Sequence, residues 1–115
     1  MHELSILEGM LQALQEEARS QGFRRVVQVR LEIGRLAGVE VEALRFAFAA
    51  AAQGTLADGA ALEILERPGT GLCQACGREV AIAARYEPCP CCGEGVVTVT
   101  GGTELRIKDI IVEEG

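Results

Sequence analysis

Cys73 and Cys76 form one Cys-x-x-Cys pair, in LCQACG, and Cys89 and Cys92 form a second, in PCPCCG, with twelve residues between the pairs. A Cys-x-x-Cys turn aims two thiolates at one point. The glycine after each pair, Gly77 and Gly93, permits the tight backbone that such a turn needs. Two turns facing one another make a tetrahedral set of four sulfurs, which suits Zn(II) in a closed structural site. The linker is slightly shorter than usual for such pairs. It still has room for a short hairpin through Val80-Ala81-Ile82-Ala83, and VVTVT at 96–100 can supply a further strand. Cys91 is the fifth cysteine. It could replace Cys92 as a ligand at Cys-x-Cys spacing. Cys92 is preferred because Gly93 then follows the ligand as Gly77 follows Cys76, which leaves Cys91 as a spare exposed thiol. A thioredoxin-like dithiol is the weaker alternative, because that motif opens a helix after a strand and these pairs sit among Gly and Pro.

The single histidine is His2, directly behind Met1. A surface histidine at a frayed terminus is the plain reading. The chemical one rests on chelate geometry. The α-amine of Met1, the backbone nitrogen of His2 and its imidazole can close around one metal, and Glu3 can add a fourth donor through its amide or carboxylate. Such a set is planar and nitrogen-rich, which favours Ni(II) or Cu(II) over tetrahedral Zn(II).

The elements that must hold these groups are legible from periodicity. Leu4, Leu7, Leu11, Leu14 and Ala18 recur at helical spacing, Ser5 and Glu8 fit a capping box, and Gly22 is a stop. Val27, Val29, Leu31 and Ile33 alternate with Gln28, Arg30 and Glu32, predicting a strand with one buried face that ends at Gly34. VEALRFAFAAAAQG predicts a second helix with Val41, Leu44, Phe48 and Ala51 inward and Gly54 as its stop. GAALEILERPG and GTELRIKDIIVEE predict two more strands. Residues 70–100 lie between those strands and hold all five cysteines, with Pro68-Gly69-Thr70-Gly71 and Gly101-Gly102 flanking them as hinges would. The expectation is an α+β fold: two helices on a three-stranded sheet (1–69 and 101–115), with an inserted zinc-ribbon-like module at 70–100.

Composition bounds the function. The chain of 115 residues carries a net charge of −6, with Lys and Arg scattered, which argues against nucleic acid or an anionic membrane as partner. No apolar run approaches the ~18 residues of a membrane span, and the acidic start lacks the basic region of a signal peptide. An odd number of cysteines in Cys-x-x-Cys spacing points to a reducing, cytoplasmic setting. No nucleophile–base constellation is visible, so an enzyme is not expected.

The order of features adds to this. MHE at the amino end, an αβαβ body, and Cys-x-x-Cys, twelve residues, then Cys-Pro-x-Cys-Gly before a last strand resemble the HypA/HybF family of nickel metallochaperones in nickel–iron hydrogenase maturation. The resemblance covers the whole chain: MHELSI is similar to the family's nickel motif, both cysteine pairs to its zinc motif, and VEALRFAF and LEILERPG also look like it. It implies Ni(II) as transient cargo at Met1, His2 and Glu3, and structural Zn(II) on Cys73, Cys76, Cys89 and Cys92. It further implies delivery to the hydrogenase large subunit, a nickel-binding GTPase (HypB) as partner and, in some organisms, service to urease maturation proteins. Cys91 stands at the variable position of the second pair. The alternative function is a zinc-ribbon adaptor for a protein or nucleic-acid partner, against which the acidic balance counts.

Overall fold

The computed structural model describes residues 3–113, so Met1 and His2 lie outside the described residues. The element order is α1 (Glu3–Gln21), β1 (Arg25–Gly34), α2 (Val41–Ala52), β2 (Ala61–Arg67), β3 (Gly69–Cys73), β4 (Glu79–Ile82), β5 (Val97–Gly101) and β6 (Leu105–Glu113). Strands β2-β1-β6 form one three-stranded sheet and β4-β3-β5 a second. The chain divides into two compact units: one runs through Leu31, takes in Val39–Ile64 and resumes at Ile107; the other comprises Glu32–Gly38 and Leu65–Arg106.

In the first unit α1 buries Leu7, Met10, Leu11 and Leu14. Leu4, on the rim of that stripe, is 56% exposed, and Met10 supplies the apolar surface instead. The helix is already regular at Glu3, so Ser5 lies inside it and is not the cap that its capping-box spacing suggests. It stops at Gly22, whose φ of +80° and N–H to the Ala18 carbonyl (2.8 Å) make a left-handed C-terminal cap. Helix α2 buries Leu44, Phe48 and Ala52, spaced four apart along one line, while Val41 and Ala51 are half-buried. The Glu3 carboxylate accepts the backbone N–H of Glu40, the residue at the head of α2, at 3.4 Å. The two helices therefore begin side by side.

Strand β1 is central in its sheet. Its Val26 N–H bonds Leu56 O at 2.9 Å and, at the other end, Arg35 N–H bonds Arg67 O at 2.9 Å, so β2 runs parallel to it across the α2 crossover. Arg24 N–H to Glu113 O and Gly34 N–H to Glu104 O make β6 antiparallel. The alternation in β1 starts out of the expected phase: Val26 is buried and Val27 is 47% exposed. From Leu31 to Gly34 every residue is buried, so the expected single buried face gives way to burial on both sides. Glu32 is there, 7% exposed, and its charge is met from both neighbouring strands. Its Oε2 accepts Arg67 Nε and NH2, both at 2.6 Å, and its Oε1 accepts Arg106 Nε at 2.7 Å.

In the second unit β3 pairs antiparallel with β4, from Gly69↔Ile82 to Leu72↔Glu79, and with β5, from Gly71↔Val99 to Cys73↔Val97. Val80 to Ile82 thus lie in the strand β4 of the expected hairpin, and VVTVT supplies β5. The flanking glycines are not loose hinges. A Cβ on Gly102, held at φ +94°, would stand 2.6 Å from Gly69 Cα and 2.7 Å from Pro68 O, and one on Gly34 would collide with Gly102 O. Glycine is required because three backbones approach this closely.

Candidate metal centre

Cys73 ends β3, and its N–H bonds Arg78 O at 2.9 Å, closing the first turn. Within that turn the Cys76 N–H points at Cys73 Sγ (3.4 Å), and Gly77, at φ +71°, donates to Cys73 O (3.0 Å). The second turn repeats the pattern. The N–H groups of Cys91 and Cys92 point at Cys89 Sγ (3.4 and 3.5 Å), and Gly93, at φ +76°, donates to Cys89 O (2.7 Å). Both glycines therefore do what their spacing predicts: they take a left-handed conformation that lets the chain fold under a sulfur.

The two turns bring Cys73, Cys76, Cys89 and Cys92 together, with all four Sγ atoms within 4.8 Å of one another. Cys73 Sγ lies 3.7 Å from Cys92 Sγ, and Cys76 Sγ lies 3.9 Å from Cys89 Sγ. A tetrahedron with Zn–S bonds of about 2.3 Å has S···S edges of about 3.8 Å. The donor set thus fits a tetrahedral, thiophilic divalent cation. Cys73 and Cys89 are buried, Cys76 and Cys92 exposed, and all five cysteines are free of disulfides.

Electrostatics makes the same demand. Backbone N–H groups of Cys92 and then Cys91 pull the Cys89 thiol down to about 6 against the cost of burial. The N–H groups of Glu94 and Gly95 hold Cys92 below the ordinary thiol range. Cys76 receives the Arg78 N–H, which lowers it, but its hydrogen bonding with Cys73, its burial and Cys89 together push it up to about 12. Four thiolates crowded into this volume cannot all ionise unaided, and a bound dication is what would deprotonate the set outright.

Cys91 lies outside the four. Its exposed Sγ accepts Arg78 NH1 at 3.4 Å. Spacing alone does not reveal Gly95, which is buried against the site: a Cβ there would collide with Cys73 Sγ. It lies outside both Cys-x-x-Cys signatures, so no motif points to it. Of the amino-terminal residues expected to bind metal, Met1 and His2 fall outside the described residues, and Glu3 heads α1 beside Glu40.

Residues 1–112 match the family model described as "Hydrogenase/urease nickel incorporation, metallochaperone, hypA". A hydrogenase maturation factor HypA of Alkalilimnicola ehrlichii is 55% identical over 98% of this chain and 100% of its own length. The HypA of Azotobacter chroococcum is likewise 55% identical over the same shares. In fold, the chain is similar to the solution structure of the Ni metallochaperone HypA from Helicobacter pylori, with a TM-score of 0.70 and 22% identity over the whole of both chains. The matched region includes both cysteine pairs and the strands that carry them, and the chain belongs to the HypA family of hydrogenase/urease nickel incorporation metallochaperones.

Proposed function

We propose that the protein binds Ni(II) at its amino terminus and hands it on for hydrogenase maturation, with Zn(II) held structurally by Cys73, Cys76, Cys89 and Cys92. The observation that carries this is the family match beginning at residue 1, which takes in Met-His-Glu. The donors are the Met1 α-amine, the His2 backbone nitrogen and imidazole, and Glu3. The link from Glu3 to Glu40 is consistent with the reading, because it ties Glu3, at the start of α1, to the start of α2. The role is binding and transfer in the cytoplasm, without catalysis. The zinc, when bound, supplies charge neutralisation and cross-linking, and the chain supplies the two turns and the N–H groups that hold the sulfurs.

The partners proposed are a nickel-binding GTPase, HypB, and the hydrogenase large subunit, with urease maturation proteins as further clients. A partner that receives nickel must approach the amino end, where Glu8, Gln12, Gln15 and Glu16 of α1 are exposed. Charge reversal at Glu8 or Glu16 should weaken the partner complex without removing zinc. Unchanged affinity for purified HypB by calorimetry in both variants would exclude this surface.

Nickel titration of the wild type, His2→Ala and a chain extended by one residue before Met1 tests the cargo site. Both changes should abolish tight nickel binding and leave zinc and fold intact, because one removes the imidazole and the other turns the amine into an amide. Binding competes with protons on an imidazole of pKa ~6.5 and an amine of ~7.7–8.0, so affinity should fall steeply from pH ~7.5 towards ~6. Wild-type nickel affinity in the His2→Ala chain would refute the reading.

A further inference from the structure

The centre has two inner and two outer ligands, and the outer edge carries a fifth thiol. Cys73 and Cys89 are buried, whereas Cys76, Cys91 and Cys92 are exposed. The N–H groups of both Cys91 and Cys92 converge on Cys89 Sγ, at 3.4 and 3.5 Å. The backbone from 91 to 92 is therefore wrapped round the Cys89 sulfur, with both amides at nearly the same distance from it. Their side chains reach different partners. Cys92 Sγ turns inward to 3.7 Å from Cys73 Sγ. Cys91 Sγ turns outward onto the Arg78 guanidinium at 3.4 Å. Arg78 itself belongs to the first turn: its carbonyl accepts the Cys73 N–H at 2.9 Å. Cys91 is thus held at the rim of the metal site by a residue of the opposite turn.

We propose that Cys91 is a reserve ligand of the zinc centre, able to take the position of Cys92. The inference rests on the reading that this centre holds zinc. In the exchange, the Zn–S bond to Cys92 breaks and one to Cys91 forms. The Cys91 thiol gives its proton to water and the released Cys92 thiolate takes one up, so neither net charge nor oxidation state changes. The buried pair Cys73 and Cys89 and the outer Cys76 keep hold of the metal throughout. Rotation of the 91–92 backbone and release of Cys91 from Arg78 are the only movements required. Cys76 has no such substitute, since Ala75 and Gly77 flank it. The two turns are therefore unequal: the second tolerates loss of its outer thiolate and the first does not.

The test uses the full chain loaded with Zn(II), and separately with Co(II), whose thiolate charge-transfer bands report how many sulfurs bind. Wild type and Cys91→Ser should each hold one metal with a four-thiolate spectrum. Cys92→Ser should also keep one metal and a four-thiolate spectrum, with affinity lowered about 10- to 100-fold. The double variant Cys91→Ser/Cys92→Ser should drop to three thiolates, and so should Cys76→Ser. A Cys92→Ser protein with the same three-thiolate spectrum as the double variant would overturn the proposal. So would a Cys91→Ser protein that drops to three thiolates, because that makes Cys91 the resident ligand. A wild-type chain that takes up neither metal would remove the zinc reading itself, and this inference with it.

Discussion

Gly95→Ala should damage the metal centre although Gly95 supplies no ligand. A Cβ at that position points straight at Cys73 Sγ and collides with it. Space around it is short as well, since the same Cβ would stand 3.1 Å from Ala75 Cβ and 3.4 Å from Ala75 N. Non-bonded carbon settles at roughly 3.5–4.0 Å from its neighbours, so the sulfur or the 94–96 backbone would have to move by more than about 1 Å. A metal site tolerates only about 0.2 Å in its bond lengths. The backbone cannot yield freely either, because the Gly95 carbonyl accepts the Cys89 N–H at 3.4 Å. The methyl group meets one sulfur of the cluster directly, and the backbone shift that would relieve it pulls on the turn that carries Cys89. The expected loss in zinc affinity is at least the 10- to 100-fold typical of damaged outer-shell contacts. Competition for zinc against a chromogenic chelator measures it, with Glu94→Ala as the matched control, since that side chain is exposed and adjacent. If Gly95→Ala holds zinc as tightly as Glu94→Ala, the proximity argument is wrong.

Three further outcomes follow from the same geometry. Cys89→Ala should lose stoichiometric zinc and disorder the segment around 70–100, because the second unit buries little beyond Ile33, Leu36 and Ile82 besides its cysteines; elemental analysis that still finds one zinc per chain would contradict it. Leu44→Ala, at a fully buried position, should cost about 2–5 kcal/mol in urea unfolding without changing the zinc content of the folded chain. Glu32→Gln should destabilise the fold at neutral pH: the hydrogen bonds from Arg106 and then Arg67 hold this carboxyl below its ordinary range, so its contribution is complete above the unfolded value of about 4.3 and disappears as pH falls through the lower folded value. Urea midpoints for the wild type and Glu32→Gln should therefore differ at pH 7 and converge as the pH falls through that lowered folded value; a gap that persists unchanged at low pH would show that the carboxylate charge is not what matters.

Much of this protein was legible before any coordinates. The two helices and every strand but β3 followed from spacing, because a period of 3.6 or 2 records which face must be dry; β3 (Gly69–Cys73) runs through the glycines that read as a hinge. The gathering of four cysteines followed from two Cys-x-x-Cys turns and their trailing glycines, because that local geometry is set within five residues. The tertiary structure decided what depends on distant partners. Leu4 fits the apolar stripe but stays exposed, while Met10 is buried, since burial depends on what packs opposite. Glu32 alternates as a solvent-facing residue should, yet it is buried, because Arg67 and Arg106 arrive from strands 35 and 74 residues away to meet its charge. Gly69 and Gly102 resemble hinges in sequence, and Gly34 a strand end, yet all three are contact points in space. Gly95 carries no signal, since its role exists only when the second turn folds over Cys73. Spacing along the chain encodes contacts a few residues apart; contacts between residues tens of positions apart have no such record and are fixed only when the strands pair.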